Sequence, residues 1–401
     1  DTFETATRSA AMGGTTSVIS FAPQATGQTL REAVTDYAAL AARGAAVDYA
    51  FHMIVADPGY DHFYRDFDDL IAEGHGSAKV FTTYAIGLDD RAIMAVMHHV
   101  AEAGALLCVH AENDAMIADA QSRLLAEHKR APEHHAASRP RAAEIEAVHR
   151  ICRMAEQTGA PTMLFHISTA EAVEEIVRAR LRGAPVWAET CPHYLFMTEE
   201  VLKRDGVEGA KWMCSPPQRT KADQDALWAA LALGHLQIVS SDHAPYRMDA
   251  SGKFWNGPKA DFTRIANGMP GLEVRMPLMF DAVFSKGRMQ AADFVRLTAR
   301  DPARLHRLAG KGDIAIGYDA DLVLWDPKRR HTYGADDLHD NTGYNPWEGT
   351  EVTGWPVTTL LRGIPIVEDG AYLGTPGAGR WLARKGPGAD PIHITGKAWR
   401  R

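Results

Sequence analysis

The sequence predicts an α/β protein: a TIM-type (β/α)8 barrel whose first strand is missing from this chain, with a small β-sandwich unit appended. Three observations predict it. Short β-branched apolar runs alternate with longer amphipathic runs almost without a break to about residue 310, the pattern of repeated βα units on a parallel sheet. Several helical stretches close on a glycine just before the next apolar run, at Gly44, Gly104, Gly159, Gly183 and Gly234, as short αβ loops require. From Gly312 onward the texture changes to Gly, Pro, Asp and short strands, a small all-β unit.

Taken in order, Asp1-Thr2, the run 3–12 and Gly13-Gly14 read as a helix with its N-cap and its terminal glycine. Strands are predicted at 15–21, 47–55, 78–83, 105–110, 162–167, 185–189 and 236–240. Between them, 29–44 carries Leu30, Ala33, Val34, Tyr37 and Leu40 on one helical face, and 89–104 opens on an Asp cap and closes on Gly. These strands number seven where a closed barrel needs eight. A helix that opens a βα series has no strand feeding it, so the first barrel strand is expected upstream of Asp1. The alternative is an open, doubly wound sheet of seven strands. Helical stretches at 271–285 and 290–309 precede short strands at 321–325, 357–361 and 364–367. The expected division is a barrel over 1–310, part of a sandwich over 311–385, and a tail over 386–401. Trp325 and Trp347 read as packing of the β unit, and Arg300 to Arg307 as a solvated helix face.

Composition narrows the function classes. With 401 residues, 46% hydrophobic and 23% charged, the chain can bury a sizeable core and is not of the disordered class. A net charge of −8 argues against nucleic acid and anionic membrane as partners. Cys108, Cys152, Cys191 and Cys214 form no C-x-x-C pair, so neither a disulfide framework nor a thiolate zinc site is indicated, and a reducing cytoplasm is the default location. No signal peptide is recognisable, and no apolar run approaches a membrane span.

The histidines carry the chemistry. His110 ends the run from Ala105, His166 ends the run from Thr162, and Asp242 with His243 follows Gln237 to Ser241. Each sits at the C-terminal end of a predicted parallel strand, the face on which barrel enzymes build their sites. Imidazoles and a carboxylate converging there can hold a divalent metal with N and O donors. A single such histidine is more often a satisfied core residue; three polar strand ends together favour the metal. Lys79 lies inside the apolar run 77–84, where a free ammonium is costly. A buried lysine can pair with an acid at the mouth, form a Schiff base, or add carbon dioxide to become an anionic bridging carbamate. Beside imidazoles on the next two strands, the carbamate explains most.

The ordered blocks Ser77 to Tyr84, His110-Ala-Glu-Asn113, His166-Ile-Ser-Thr-Ala170, Glu189-Thr-Cys-Pro-His-Tyr194, Cys214-Ser-Pro-Pro217, Ser241-Asp-His243, Phe262 to Gly268 and Gly317 to Asp326 resemble the hydantoinase/dihydropyrimidinase branch of the amidohydrolase superfamily. The match runs from residue 1 to about 385. The resemblance implies that Lys79 is carboxylated and bridges two zinc ions, that His110 and His166 bind the more exposed ion, and that Asp242 binds the buried ion and shuttles the proton. It implies that Tyr84 donates to the developing oxyanion and that backbone groups at Ser215 and Asn267 hold a cyclic amide or imide.

The implied reaction opens the ring amide C–N bond of hydantoin or a 5,6-dihydropyrimidine, giving an N-carbamoyl amino acid through a metal-bridging hydroxide. Allantoinase and dihydroorotase activities are alternatives within the superfamily. A non-catalytic scaffold like the collapsin response mediator proteins is the alternative of another class, disfavoured because Lys79, His110, His166 and Asp242 are all present. The resemblance also implies a homotetramer. In the family, an H-x-H on the first barrel strand completes the buried metal site, and the sandwich draws strands from the same N-terminal segment. This chain carries neither, so alone it is expected to fold poorly and to bind fewer than two metals. Thr82, Thr83 and the loop 245–257 depart from the commoner family wording, which leaves ring size and substituent preference open.

Overall fold

The computed structural model describes residues 1–384. Seven parallel strands pair in chain order: β1 (Ser17–Pro23), β2 (Asp48–Ile54), β3 (Ser77–Phe81), β4 (Leu106–His110), β5 (Thr162–Leu164), β6 (Val186–Thr190) and β7 (Ile238–Val239). A doubly wound sheet reverses its strand order at a switch point. This one never does, which decides for the barrel type. The sheet curls far enough that residues of β1 and of β7 line one cavity of about 730 Å³. All of β2 is buried, whereas β1 is half-exposed over most of its length, because among the described strands β1 pairs only with β2. The cavity lies between the β1 edge and β7.

The helices follow the predicted grammar. In α1 (Phe3–Met12) and α2 (Leu30–Gly44), capping boxes close Thr2 with Thr5 and Thr29 with Glu32. In α3 (Phe63–Glu73), Phe63, Phe67, Leu70 and Ile71 recur at helical spacing and are buried. The helix α4 (Asp90–Ala103) begins at an Asp89 cap and ends at Gly104 in the left-handed region, φ 59°. One predicted core position is corrected: Leu40 is exposed, at the rim of the cavity beside β1.

The second sheet is antiparallel, in the order β11 (Ala371–Tyr372), β10 (Ile364–Glu368), β9 (Glu351–Leu361), β8 (Leu322–Thr332). Its two long strands exceed the predicted runs 321–325 and 357–361 and contain Pro327, Gly354 and Pro356. The pairing absorbs them through register shifts near Trp325 and between Asp326 and Arg330. Gly354, at φ 100°, has no room for a side chain: a Cβ there would lie 2.1 Å from the Phe280 ring.

Trp325 and Trp347 do more than pack the small sheet. The first stacks on Phe280 at 4.2 Å, and the second meets Phe196 edge-on at 6.4 Å, so both join the sheet to helical segments. The stretch from Arg300 to Arg307 is only partly a solvated face. Asp301 and His306 are buried, Asp301 against Arg296 and Arg300, and His306 against His52 at 5.1 Å inside the barrel. All four cysteines are free and buried. Among the described residues no helix is long and apolar enough to cross a membrane. The predicted tail lies outside the described residues.

Candidate functional site

The strands β3, β4, β5 and β7 deliver the chemical groups singled out in the sequence. Lys79, the middle residue of β3, is buried with its ammonium 3.8 Å from the Phe165 ring centre and 5.1 Å from those of Phe21 and Phe81. Among the described residues it forms no ion pair within 4.0 Å. Burial lowers its pKa to about 8 against the attraction of Asp242 and Glu189. An amine with this pKa is mostly charged at pH 7 but keeps a neutral, nucleophilic fraction of about a tenth.

His110, the last residue of β4, lies with its ring 4.6 Å from that of His166, just beyond β5. Burial pushes both imidazoles well below their ordinary pKa, with Lys79 adding to the effect, so both are neutral and able to donate a lone pair. His166 Nδ1 is buried with no hydrogen-bond partner. Asp242 follows β7; burial raises its pKa while Lys79 pulls it down.

The backbone turns sharply at these positions. Tyr84 (φ 71°), His166 (φ 43°) and Asp242 (φ 41°) occupy the left-handed region, which costs a bulky residue such as Tyr most. These turns also explain why β5 and β7 stop short of their predicted ends. The chain leaves the ladder so that His166 and Asp242 can face inward.

Tyr84 sits between His110, at 5.4 Å ring to ring, and the Arg139 guanidinium, 4.8 Å from its ring centre. Tyr84 is 39% exposed at the mouth, yet the enclosure of its phenol end raises the pKa, so the phenol stays protonated and able to donate. Ser215 and Asn267 lie close enough to the phenol to favour its ionised form, yet the buried Ser215 Oγ and Asn267 Oδ1 complete no hydrogen bond. Two orphaned buried acceptors beside a protonated phenol mark a place built for a polar ligand.

Behind the imidazoles is a layer that the sequence reading did not single out. Glu112 Oε2 lies 2.8 Å from His110 Nε2 and accepts from Arg139 Nη1 at 2.5 Å. That contact fixes the His110 tautomer and leaves Nδ1 as the free donor atom. Thr82 anchors the same loop, donating to the Glu112 carbonyl at 2.7 Å and accepting from its N–H at 2.9 Å. Glu144 accepts from the Ser168 N–H at 2.8 Å and from the Ser168 hydroxyl at 2.5 Å, holding the turn that follows His166. Glu189, at the β6 end, is buried; burial raises its pKa to about 7, against Lys79. Glu112 and Glu189 stood inside the quoted blocks, but only a tertiary partner distinguishes them from surface acids.

One expectation is corrected. His243 does not join the cluster: its Nε2 lies 3.0 Å from Asp1 Oδ2, and its Nδ1 accepts from the Gly271 N–H at 3.1 Å. Among the described residues no group of three His, Cys, Asp or Glu side chains converges as a metal site; the expected set of His110, His166 and Asp242 has a fourth member, Lys79. This lysine acts electrostatically on all three. Lys79 as an ammonium repels a cation and supplies no oxygen, whereas an anionic Lys79 would give the two imidazoles and the carboxylate a common centre. The donor types and the unpartnered His166 Nδ1 fit a divalent metal on that condition.

Comparisons with known proteins agree with this geometry. The amidohydrolase family profile matches residues 1–366. A D-hydantoinase of Streptomyces coelicolor is 41% identical over 387 residues, covering 96% of this chain and 82% of its own. A D-phenylhydantoinase of Escherichia coli is 38% identical over 98% of this chain and 84% of its own. The crystal structure of dihydropyrimidinase from Brevibacillus agri superimposes with a TM-score of 0.93 at 38% identity, over 98% of this chain and 85% of that one.

Proposed function

The chain belongs to the amidohydrolase family, and from that premise we propose that it is a cyclic amidohydrolase, opening the ring amide C–N bond of a hydantoin or a 5,6-dihydropyrimidine to give an N-carbamoyl amino acid. The observation that carries the reading is the buried β3 lysine of lowered pKa set among two neutral imidazoles and a carboxylate at the ends of β4, β5 and β7.

In this reading Lys79 adds carbon dioxide through its neutral amine and becomes an anionic oxygen ligand, and His110, His166 and Asp242 supply the remaining donors of this chain. The bound metal would act as a Lewis acid on the carbonyl and lower the pKa of a water to the neutral range. The rest is done by side chains. The Asp242 carboxylate takes the proton of the attacking water and returns it to the ring nitrogen as the C–N bond breaks. The Tyr84 hydroxyl donates to the carbonyl oxygen as it gains charge, a contribution of a few kcal/mol in comparable oxyanion sites. Groups at Ser215 and Asn267 hold the ring in register, and Glu112 keeps His110 in one tautomer. Zinc as the metal and a homotetramer complete the proposal on the resemblance, and a cytoplasmic location on the cysteine pattern.

A turnover screen of the zinc-loaded protein in bicarbonate buffer, with hydantoin, dihydrouracil, allantoin and dihydroorotate, tests it. Ring opening of hydantoin or dihydrouracil is the expected result; hydrolysis of dihydroorotate or allantoin alone would overturn the substrate assignment.

A further inference from the structure

Lys253 is a second lysine enclosed by protein, and neither the fold nor the proposed chemistry accounts for it. It is 0% exposed, in the loop 245–257, and its ammonium donates to three main-chain carbonyls: Gly268 at 2.6 Å, Ala266 at 3.1 Å and Met213 at 3.2 Å. No carboxylate pairs with it among the described residues. Burial lowers its pKa to about 7, and the three carbonyl dipoles act in the opposite direction, favouring the charged form.

The acceptors come from two separate stretches. Met213 lies two residues before Ser215, and Ala266 and Gly268 flank Asn267, so the ammonium spans the two segments that present the orphaned Ser215 Oγ and Asn267 Oδ1. The Gly268 N–H to Met213 carbonyl bond, at 2.8 Å, is the one main-chain tie between them. The lysine is itself locked in place. Its N–H donates to the Arg247 carbonyl at 2.7 Å, and its carbonyl accepts from the Ala266 N–H at 3.2 Å. The preceding Gly252 leaves no room for a Cβ, which would fall 2.3 Å from the Arg247 oxygen. The neighbouring Phe254 packs with Met213, Phe262 and Ile265.

We propose that Lys253 is a positioning residue for substrate recognition: its ammonium clamps the 213–215 and 266–268 segments in the geometry that grips the ring, and polarises the peptide unit whose N–H belongs to Asn267. A cation donating to a carbonyl draws charge through the amide, so the N–H on the other side of that peptide becomes a stronger donor. The lysine acts through the backbone and touches no reacting atom. The inference rests on the proposed hydrolysis, which makes Ser215 and Asn267 the ring-holding positions.

The test compares the full chain with Lys253→Met, which keeps the shape and removes every donor, and Lys253→Gln, which keeps donors without charge. Expected is a KM raised about tenfold for Met and less for Gln, with kcat changed far less, since uniform binding is lost rather than transition-state stabilisation. Hydrogen exchange should speed up at amides of both segments in the Met variant. A KM within twofold of the parent in both variants, or exchange confined to one segment, would overturn the proposal. If the parent opens none of the rings, the functional reading fails, while the exchange comparison still decides whether Lys253 clamps the two segments.

Discussion

At the N-terminal end of β2, Asp48 is buried against Lys311 Nζ at 2.7 Å and against Arg362, and it accepts from the Arg380 N–H at 2.8 Å. Lys311 also reaches Asp319 at 2.9 Å and Asp321 at 2.7 Å, so this cluster joins the first sheet to the second. At the opposite end of the same sheet, Lys79 is just as buried but faces aromatic rings and two neutral imidazoles. The two places resolve burial in opposite senses. Around Asp48, burial would raise the carboxyl, but the bonds from Lys311, Arg362 and Arg380 hold it below its ordinary value. Around Lys79, burial wins and moves every group towards its neutral form. A buried cluster with its partners in place is a joint; one whose ionic forms are left unsatisfied is a receptor for whatever supplies the missing charge.

The largest expected effect separates the two roles at Asp242. Because its φ of 41° suits Asn as well as Asp, Asp242→Asn removes the proton carrier while keeping the turn. Turnover of the metal-loaded protein should fall by about 10³-fold or more, with thermal unfolding within a few degrees of the parent. Comparable turnover in the variant, measured with the same metal content, would show that proton transfer runs through another group.

How much of this contrast was legible in the sequence follows from the range of each interaction. Lys79, His110 and His166 announced themselves because a polar residue inside or at the end of an apolar β run is a local pattern. The sequential strand order followed from the βα alternation, and the caps at Asp1-Thr2 and Asp89 from single residues. What stayed hidden depends on partners far along the chain. Asp48 reads as an ordinary strand start until Lys311, 263 residues away, folds onto it. Glu112 needs Arg139, and His243 is drawn from the cluster by Asp1, 242 residues away. Leu40 obeys helical periodicity perfectly, yet the surface it faces is an open cavity.

The joint is tested at Asp48. Asp48→Asn leaves Lys311 and Arg362 sharing fewer anions in a buried setting, and denaturant unfolding should show a loss of about 3 kcal/mol near neutral pH. The sign of its pH dependence follows from a folded pKa below the ordinary 3.8. The carboxylate's contribution is fully present above that value and is lost as pH falls through the lower folded pKa. The gap between parent and variant should therefore narrow below about pH 4. A gap that stays constant into acid would mean that Asp48 acts by packing rather than by charge.

The smallest effect sharpens the comparison most, because Glu112 has features of both regions: one of its oxygens is ion-paired as Asp48 is, yet it touches a residue of the receptor cluster. Its Oε2 carries both the Arg139 bond and the His110 contact, while Oε1 is buried without a partner. In Glu112→Gln the side chain keeps its length but loses the charge that balances Arg139 and orients the imidazole. Competition with a chelator should then show zinc held about 10- to 100-fold more weakly, while the Ser215 and Asn267 segments, out of contact with Glu112, keep their hydrogen-exchange rates. If stability drops by as much as in Asp48→Asn and zinc affinity does not move, Glu112 belongs to the joint, and the receptor ends at the imidazoles themselves.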